Sequence, residues 1–451
     1  MKTNTKLMTS GSISKNIIYF AFPIFLGNLF QQLYMIVDTI VLGKYEGSEA
    51  LAAITSCGPL IFLIVGLFTG IFIGVGVVIS KLFGAKDLKR VEKAVHTTVA
   101  FALLSGATLT LIGYYFAPKI LILMKTPPSV LDDATDYVQI YFLGISALIL
   151  FNSASGILQA MGDSKRPLYF LMVSSISNII LDLVFVIYFR LGTKGVALAT
   201  VISQSISAIL SYRILLTTKD IYRIYIKKIR LDLTLLKQFL AIGIPSGIQN
   251  SVISIANVFV QSSINIFGPI AMAGNGAMMR IQGFAFIPVT SFAMAMTTYT
   301  SQNIGAGEFL RVKKGTKFGI LSAIVLAQLI GLFIFFFSPK LLLIFTNDPS
   351  VIEIGVLKAR ITAFFFFQLA ISHTMAGIYR GAGKSIIPMA VMLLFWCIFR
   401  VSYITVALKF IYDIKIVFSA YPLTWTLSAI VFIIYYFKGN WLNHHQLKIT
   451  K

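Results

Sequence analysis

Two carboxylates stand where carboxylates are costly. Of the sixteen Asp and Glu residues, fourteen lie in polar stretches or within a turn or two of one, whereas Asp38 and Asp182 sit inside long apolar runs. A charged side chain in hydrocarbon costs at least about 2.5 kcal/mol, and is kept mainly where it faces a bundle interior or a water-filled cavity. Asn178 lies four residues before Asp182, on the same face of a helix. Asp38 stands four residues before the outer end of the first run and Asp182 eight before that of the fifth. Thr200 comes about four residues after the outer start of the sixth. At about 1.5 Å per residue these three lie roughly 6–12 Å inside the outer edge, with Asn178 one turn deeper. Two carboxylates, an amide carbonyl and a hydroxyl form a hard oxygen set suited to Na⁺ or H⁺. Either acid alone could cap or bond a neighbouring helix; the set at matching depth favours an ion site.

Other polar residues keep helical spacing. Asn28, Gln31 or Gln32, Met35 and Asp38 follow one another by about a turn, and Asn250, Ser254, Asn257, Gln261 and Asn265 form one stripe. Such faces point toward water or another helix. Gln32, Met35, Asn250, Asn257 and Gln261 are therefore candidates to line a substrate cleft. Arg280 and Arg400, each about nine residues from the outer end of a run, are candidates to hold positive charge toward that cleft; pairing with helix carbonyls or lipid headgroups remains equally open. Lys358 and Arg360 read as snorkelling toward an outer interface. Met278, Met279, Met294 and Met296 offer weak support for an adaptable wall. Pro23 and Pro245 interrupt the first run of each half and are candidate hinges.

The elements that position these residues are membrane helices. Hydrophobic residues are 57% of 451 and charged residues 12%. About twelve apolar stretches reach the roughly 20 residues that a helix needs to cross a bilayer. The fold class expected is all-α integral membrane, with six spans in each half. The halves repeat at an offset of 221 residues: Ser80, Gly84, Ala85, Arg90 and Val91 recur as Ser301, Gly305, Ala306, Arg311 and Val312, and Gly156, Gly162, Ser164 and Pro167 as Gly377, Gly383, Ser385 and Pro388. An even number of spans returns each half to its starting side, so the lobes are parallel repeats. The expected division is an N-lobe over 1–216, a basic connection over 217–236 and a C-lobe over 237–451. Phe399 and Tyr403 occupy the positions 221 beyond Asn178 and Asp182, so the halves are chemically unequal.

The net charge of +22 is spread over alternate loops: Lys2, Lys6 and Lys15; Lys81 to Lys93; Lys219 to Lys237; Arg311 to Lys317. The opposite loops carry few cations, such as Lys44, Lys119 and Lys125. This places both termini and the connection in the cytoplasm by the positive-inside rule, and argues against nucleic acid as a partner. No cleavable signal peptide is expected, because the first apolar stretch is too long for one. Cys57 and Cys397 stand alone in apolar runs, and His96, His373, His444 and His445 show no metal-ligand spacing. His373 reads as a helix-packing residue. No metal is expected beyond Na⁺ at the cation-binding residues, no cofactor beyond the coupling ion, and no enzyme activity.

The chain resembles the multidrug and toxic compound extrusion (MATE) transporters over nearly its whole length. The resemblance rests on Pro23 with Asp38, on Asn178-Ile179-Ile180-Leu181-Asp182, on Thr200, and on the paired loops ending GDSKRP and GAGKSIIP. It implies a V-shaped pair of lobes and export of organic molecules driven by inward H⁺ or Na⁺. It also implies that Asp38, Asn178, Asp182 and Thr200 form the N-lobe cation site. Some members of the family use acids in the C-lobe as well; this chain has none in mid-span there.

Together these readings describe an H⁺- or Na⁺-coupled antiporter that works by alternating access. It is expected to be a monomer in a bacterial inner membrane, with a small organic substrate and membrane lipids as partners. The alternative is a flippase for an anionic lipid-linked substrate, motivated by Arg280 and Arg400.

Overall fold

The computed structural model describes residues 7–124, 126–439 and 441–442. Lys2, Lys6, Lys125, His444 and His445 lie outside the described residues, as does the side chain of Lys44. The described residues form helices joined by turns and loops, with no strand among them, and twelve helices are long and apolar enough to cross a membrane. In order they are α1 (Ile13–Tyr45), α2 (Gly47–Gly84), α3 (Leu88–Leu123), α4 (Pro128–Ala160), α5 (Lys165–Asp182) and α6 (Gly192–Thr217). The second set comprises α7 (Leu233–Asn265), α8 (Pro269–Gly305), α9 (Phe309–Leu342), α10 and α11 (Pro349–Thr362, Phe366–Gly381), α12 and α13 (Ile386–Met392, Arg400–Phe410) and α14 (Ile414–Lys438). Two spans contain a wider π-helical stretch: Leu183–Tyr188 follows α5, and Leu393–Phe399 joins α12 to α13. Such stretches break the regular ladder and re-aim neighbouring side chains.

The repeat is written in hydrogen bonds. Ser80 Oγ donates to the Ala160 carbonyl at 3.3 Å, and Ser301 Oγ donates to the Gly381 carbonyl at 3.0 Å. The turn after α2 and the turn after α8 use matching bonds: Ala85 to Lys81 and Ala306 to Gln302, then Asp87 to Leu82 and Glu308 to Asn303. At the tightest residue of that turn the halves differ. Lys86 has φ +56° and its counterpart Gly307 has φ +76°. A side chain in the left-handed region is strained by its Cβ, whereas glycine adopts it freely. Lys86→Gly is therefore expected to stabilise the protein by about 0.5–1 kcal/mol, read as a higher midpoint in thermal unfolding of the detergent-solubilised protein.

The chain forms two compact units, and the division falls inside helices rather than in the central connection. One unit holds Leu7 and Phe22–Gly243; the other joins Met8–Ala21 to the chain from Ile244 onward. α1 and α7 thus each begin in one unit and continue in the other, and both change over just before a proline, Pro23 or Pro245. The early segments are firmly held. In the second unit, the Met8 amide donates to Gln302 Oε1 at 2.8 Å, and Arg311 donates to the carbonyls of Gly11, Met8 and Ser10. In the first unit, α7 crosses α2 at a pair of glycines: a Cβ on Gly74 would lie 2.5 Å from the Phe239 carbonyl oxygen and 2.6 Å from the Gly243 nitrogen.

The basic connection is also fixed. Tyr225 N donates to His96 Nε2 at 3.0 Å, and Lys228 pairs with Glu92 at 2.6 Å. Arg166 joins Asp163 at 3.3 Å to the Tyr222 hydroxyl at 2.7 Å, which donates in turn to Asp220. Burial pushes the Asp163 carboxyl up from the usual range, opposed by the Arg166 and Lys165 amides and charges, and burial likewise raises the Tyr222 hydroxyl.

Candidate functional site

The acid pair forms within the first unit. Asp182 is the last residue of α5, just before the π-helical stretch, and is fully buried; Asn178 and Thr200 are buried and Asp38 is half-buried. The carboxyls of Asp38 and Asp182 lie within hydrogen-bonding reach of each other. As carboxylates neither can donate. Asp38 Oδ1, both Asp182 oxygens and both polar atoms of Asn178 have no hydrogen-bond partner among the described residues. Buried polar groups are normally satisfied. A proton shared between the carboxyls would supply the missing donor, and a Na⁺ would be bound by the same oxygens, so the donor set fits either ion.

Neighbouring helices fix this geometry. Ser174 Oγ on α5 donates to the Ser203 carbonyl on α6 at 2.8 Å. The helices are antiparallel, so one turn further along α5 Asn178 comes level with the Ala199–Thr200 step.

Sequence reasoning missed the tyrosines around the acids. Tyr34 hydrogen-bonds with Gln31 and lies within the field of both carboxylates. Tyr137 lies in the field of Asp38 and stacks on Tyr141, centroids 6.4 Å apart, and Tyr141 bonds Gln204. The signal was present as two tyrosines four residues apart in the fourth apolar run.

The substrate-cleft candidates separate. Gln32 is half-buried and Met35 exposed, both in the first unit. In the second unit Asn250 and Asn257 are half-buried, Arg280 is exposed and Arg400 is buried. Gln261 belongs to a string of amides: Lys358 Nζ donates to Asn275 Oδ1 at 2.7 Å, Asn275 Nδ2 to Gln261 Oε1 at 2.8 Å, and Gln261 Nε2 to Asn265 Oδ1 at 2.8 Å. Met278 and Met296 are fully buried packing residues rather than a wall. His373 lies edge-on to Phe286 and Trp396, with Nε2 unpartnered among the described residues.

The reading of Lys358 as a snorkelling residue is corrected by the structure: it is 1% exposed. Its ammonium lies 5.3 Å from the Tyr421 ring and 6.0 Å from Phe418. The guanidinium of Arg400, 2% exposed, lies 4.7 Å from the same Tyr421 ring and 5.4 Å from Trp396. Arg400 Nη2 donates to Thr424 Oγ1 at 2.8 Å, while Nε has no partner among the described residues. Cation–π contacts contribute about 0.5–2 kcal/mol, whereas burying an ion costs several kcal/mol. The rings, one amide and one hydroxyl therefore do not offset two buried cations.

At the positions matching Asn178 and Asp182, Phe399 and Tyr403 stack with centroids 6.2 Å apart. The 221-residue offset also sets Lys358 against Tyr137 and Tyr421 against Thr200. The second half thus holds cations around the place where the first holds acids.

Twelve candidate spans in a twofold repeat describe a multi-pass membrane protein, and the family its sequence matches is one of transporters rather than enzymes. The MatE family model matches twice, at residues 23–184 and 245–404, and the chain belongs to that family. Among curated relatives, the probable multidrug resistance protein YoeA of Bacillus subtilis is 28% identical over 96% of this chain and 95% of its own. The probable multidrug resistance protein NorM of Thermotoga maritima is 26% identical over 84% and 82%. Among solved structures, an outward-facing multidrug resistance MATE transporter superposes with a TM-score of 0.92 at 22% identity, covering 99% of each chain. A MOP-superfamily transporter from Pyrococcus furiosus, described as having a binding pocket of reversed polarity, gives 0.90 at 21% identity, covering 100% of this chain and 99% of its own. The structural likenesses establish the fold alone.

Proposed function

We propose that this protein exports small organic compounds across a bacterial plasma membrane in exchange for H⁺ or Na⁺, which docks at Asp38 and Asp182 with Asn178 and Thr200 beside them. The observation that carries the reading is the approach of two carboxyls inside one lobe, with orphaned oxygens and an orphaned amide around them. The names of the curated relatives support the cargo class.

An ion entering from outside neutralises the pair and removes the repulsion between the acids. Asp38 lies on α1 and Asp182 adjoins the π-helical stretch, so neutralisation alters the packing of α1 against α5. Substrate affinity falls, substrate leaves outward, and the protein returns inward to release the ion. The cycle requires that the ion bind one state more tightly than the other, since equal affinity shifts nothing. Pro23 and Pro245, at the changeovers between units, are the hinges in this reading. The positive-inside charge pattern supports cytoplasmic termini. The flippase alternative gains no support from the relatives.

The test is uptake of an ethidium-type dye into proteoliposomes, with pH and sodium gradients imposed one at a time. One gradient is expected to drive accumulation that collapses when it is dissipated. Uptake indifferent to both gradients would refute the coupling.

A further inference from the structure

The acid site of the first half has an opposite in the second. We propose that the Lys358–Arg400 cluster is a binding site for a small organic carboxylate. This goes beyond the coupled-export reading and does not depend on it.

Three observations converge. First, two cations flank one ring, Tyr421, and among the described residues no carboxylate is paired with either. Second, a buried donor beside them is left unanswered. Arg400 Nε is buried with no partner among the described residues, and Lys358 Nζ donates to one neutral oxygen, Asn275 Oδ1, at the head of the Asn275–Gln261–Asn265 string. That string gives Lys358 Nζ its acceptor and ends at the exposed Asn265, the last residue of α7. Third, Trp396, Tyr421 and Phe418 supply apolar walls next to the cations. A planar guanidinium with a free Nε recognises a carboxylate well, an ammonium adds a second positive centre, and aromatic faces take an apolar body. An aromatic monocarboxylate meets all three demands. A cationic compound would meet repulsion from both residues.

The site carries its own reporter. Trp396 lies beside Arg400, and all three tryptophans, Trp396, Trp425 and Trp441, are at most 4% exposed. The experiment uses the full-length protein in lipid nanodiscs, with iodide as an anion that quenches indole on contact and benzoate as competitor. Quenching is expected to saturate, to be reversed by benzoate, and to ignore benzamide, the neutral analogue. Lys358→Met and Arg400→Gln are each expected to weaken iodide quenching and benzoate displacement by about tenfold or more, and Trp396→Phe to remove most of the signal. Absent or non-saturating quenching overturns the proposal. So does equal displacement by benzamide and benzoate, or unchanged affinity in both charge variants. If those variants do not fold, the benzoate–benzamide comparison on the unmodified protein decides alone. Neither gradient nor substrate enters the assay, so its failure leaves the export reading standing, and failure of export leaves this site standing.

Discussion

Asp182→Asn is expected to reduce gradient-driven dye uptake to the level seen with no gradient. The substitution keeps size and hydrogen-bonding capacity but removes the charge that an ion must meet. Losing a carboxylate from a desolvated ion site costs several kcal/mol of ion binding, and every 1.4 kcal/mol is tenfold. Coupled uptake should therefore fall well over tenfold. Asp38→Asn should do the same, because the two carboxyls act as a pair. The double variant should be no worse than either single one, since residues acting as a unit are not additive. The size-exclusion profile and thermal midpoint of the purified variants separate this from misfolding: an intact but uncoupled protein keeps both. Full coupled transport in either variant would remove these residues from the ion site.

The second large effect is structural. Gly74→Val is expected to prevent accumulation of folded protein. Its Cβ would press on the backbone of α7 at Phe239 and Gly243, where no side chain can swing aside. Overpacking of this kind costs about 1–3 kcal/mol and can exceed that; against backbone it falls at the upper end. Gly243→Val should behave alike, because its Cβ would lie 2.6 Å from the Ile71 Cα. Gly276→Ala is the control. Nothing lies within 4 Å of its added Cβ, and alanine is the better helix former by up to about 1 kcal/mol. Size-exclusion profiles and thermal midpoints in detergent read all three. A monodisperse Gly74→Val protein with an unchanged midpoint would contradict the close crossing.

Asp38 and Asp182 were legible in the sequence because hydropathy makes a mid-span acid conspicuous, and the 221-residue repeat was legible because its turns reuse the same residues. Lys358 was not. A lysine nine residues into α10 is within reach of the interface by its long side chain, and only packing against α14 decides that it turns inward. Tyr34, Tyr137 and Tyr141 were hidden for a related reason: a ring in an apolar run satisfies hydropathy whether or not its hydroxyl faces an acid. The π-helical stretches over Leu183–Tyr188 and Leu393–Phe399 contain no Pro or Gly to mark them. At the unit boundaries Pro23 and Pro245 marked the place but not the event: α1 and α7 remain single helices through them, so local propensity does not say which unit each stretch joins.

That change of partner bears on ancestry. Each half lends its opening stretch, Met8–Ala21 or the start of α7 up to Gly243, to the other half's compact unit. A single ancestral copy would therefore have left one docking surface bare and one arm homeless. Two copies trading arms complete each other, as in any domain-swapped dimer. Duplication followed by fusion makes such an exchange permanent and leaves the two cores free to diverge in charge.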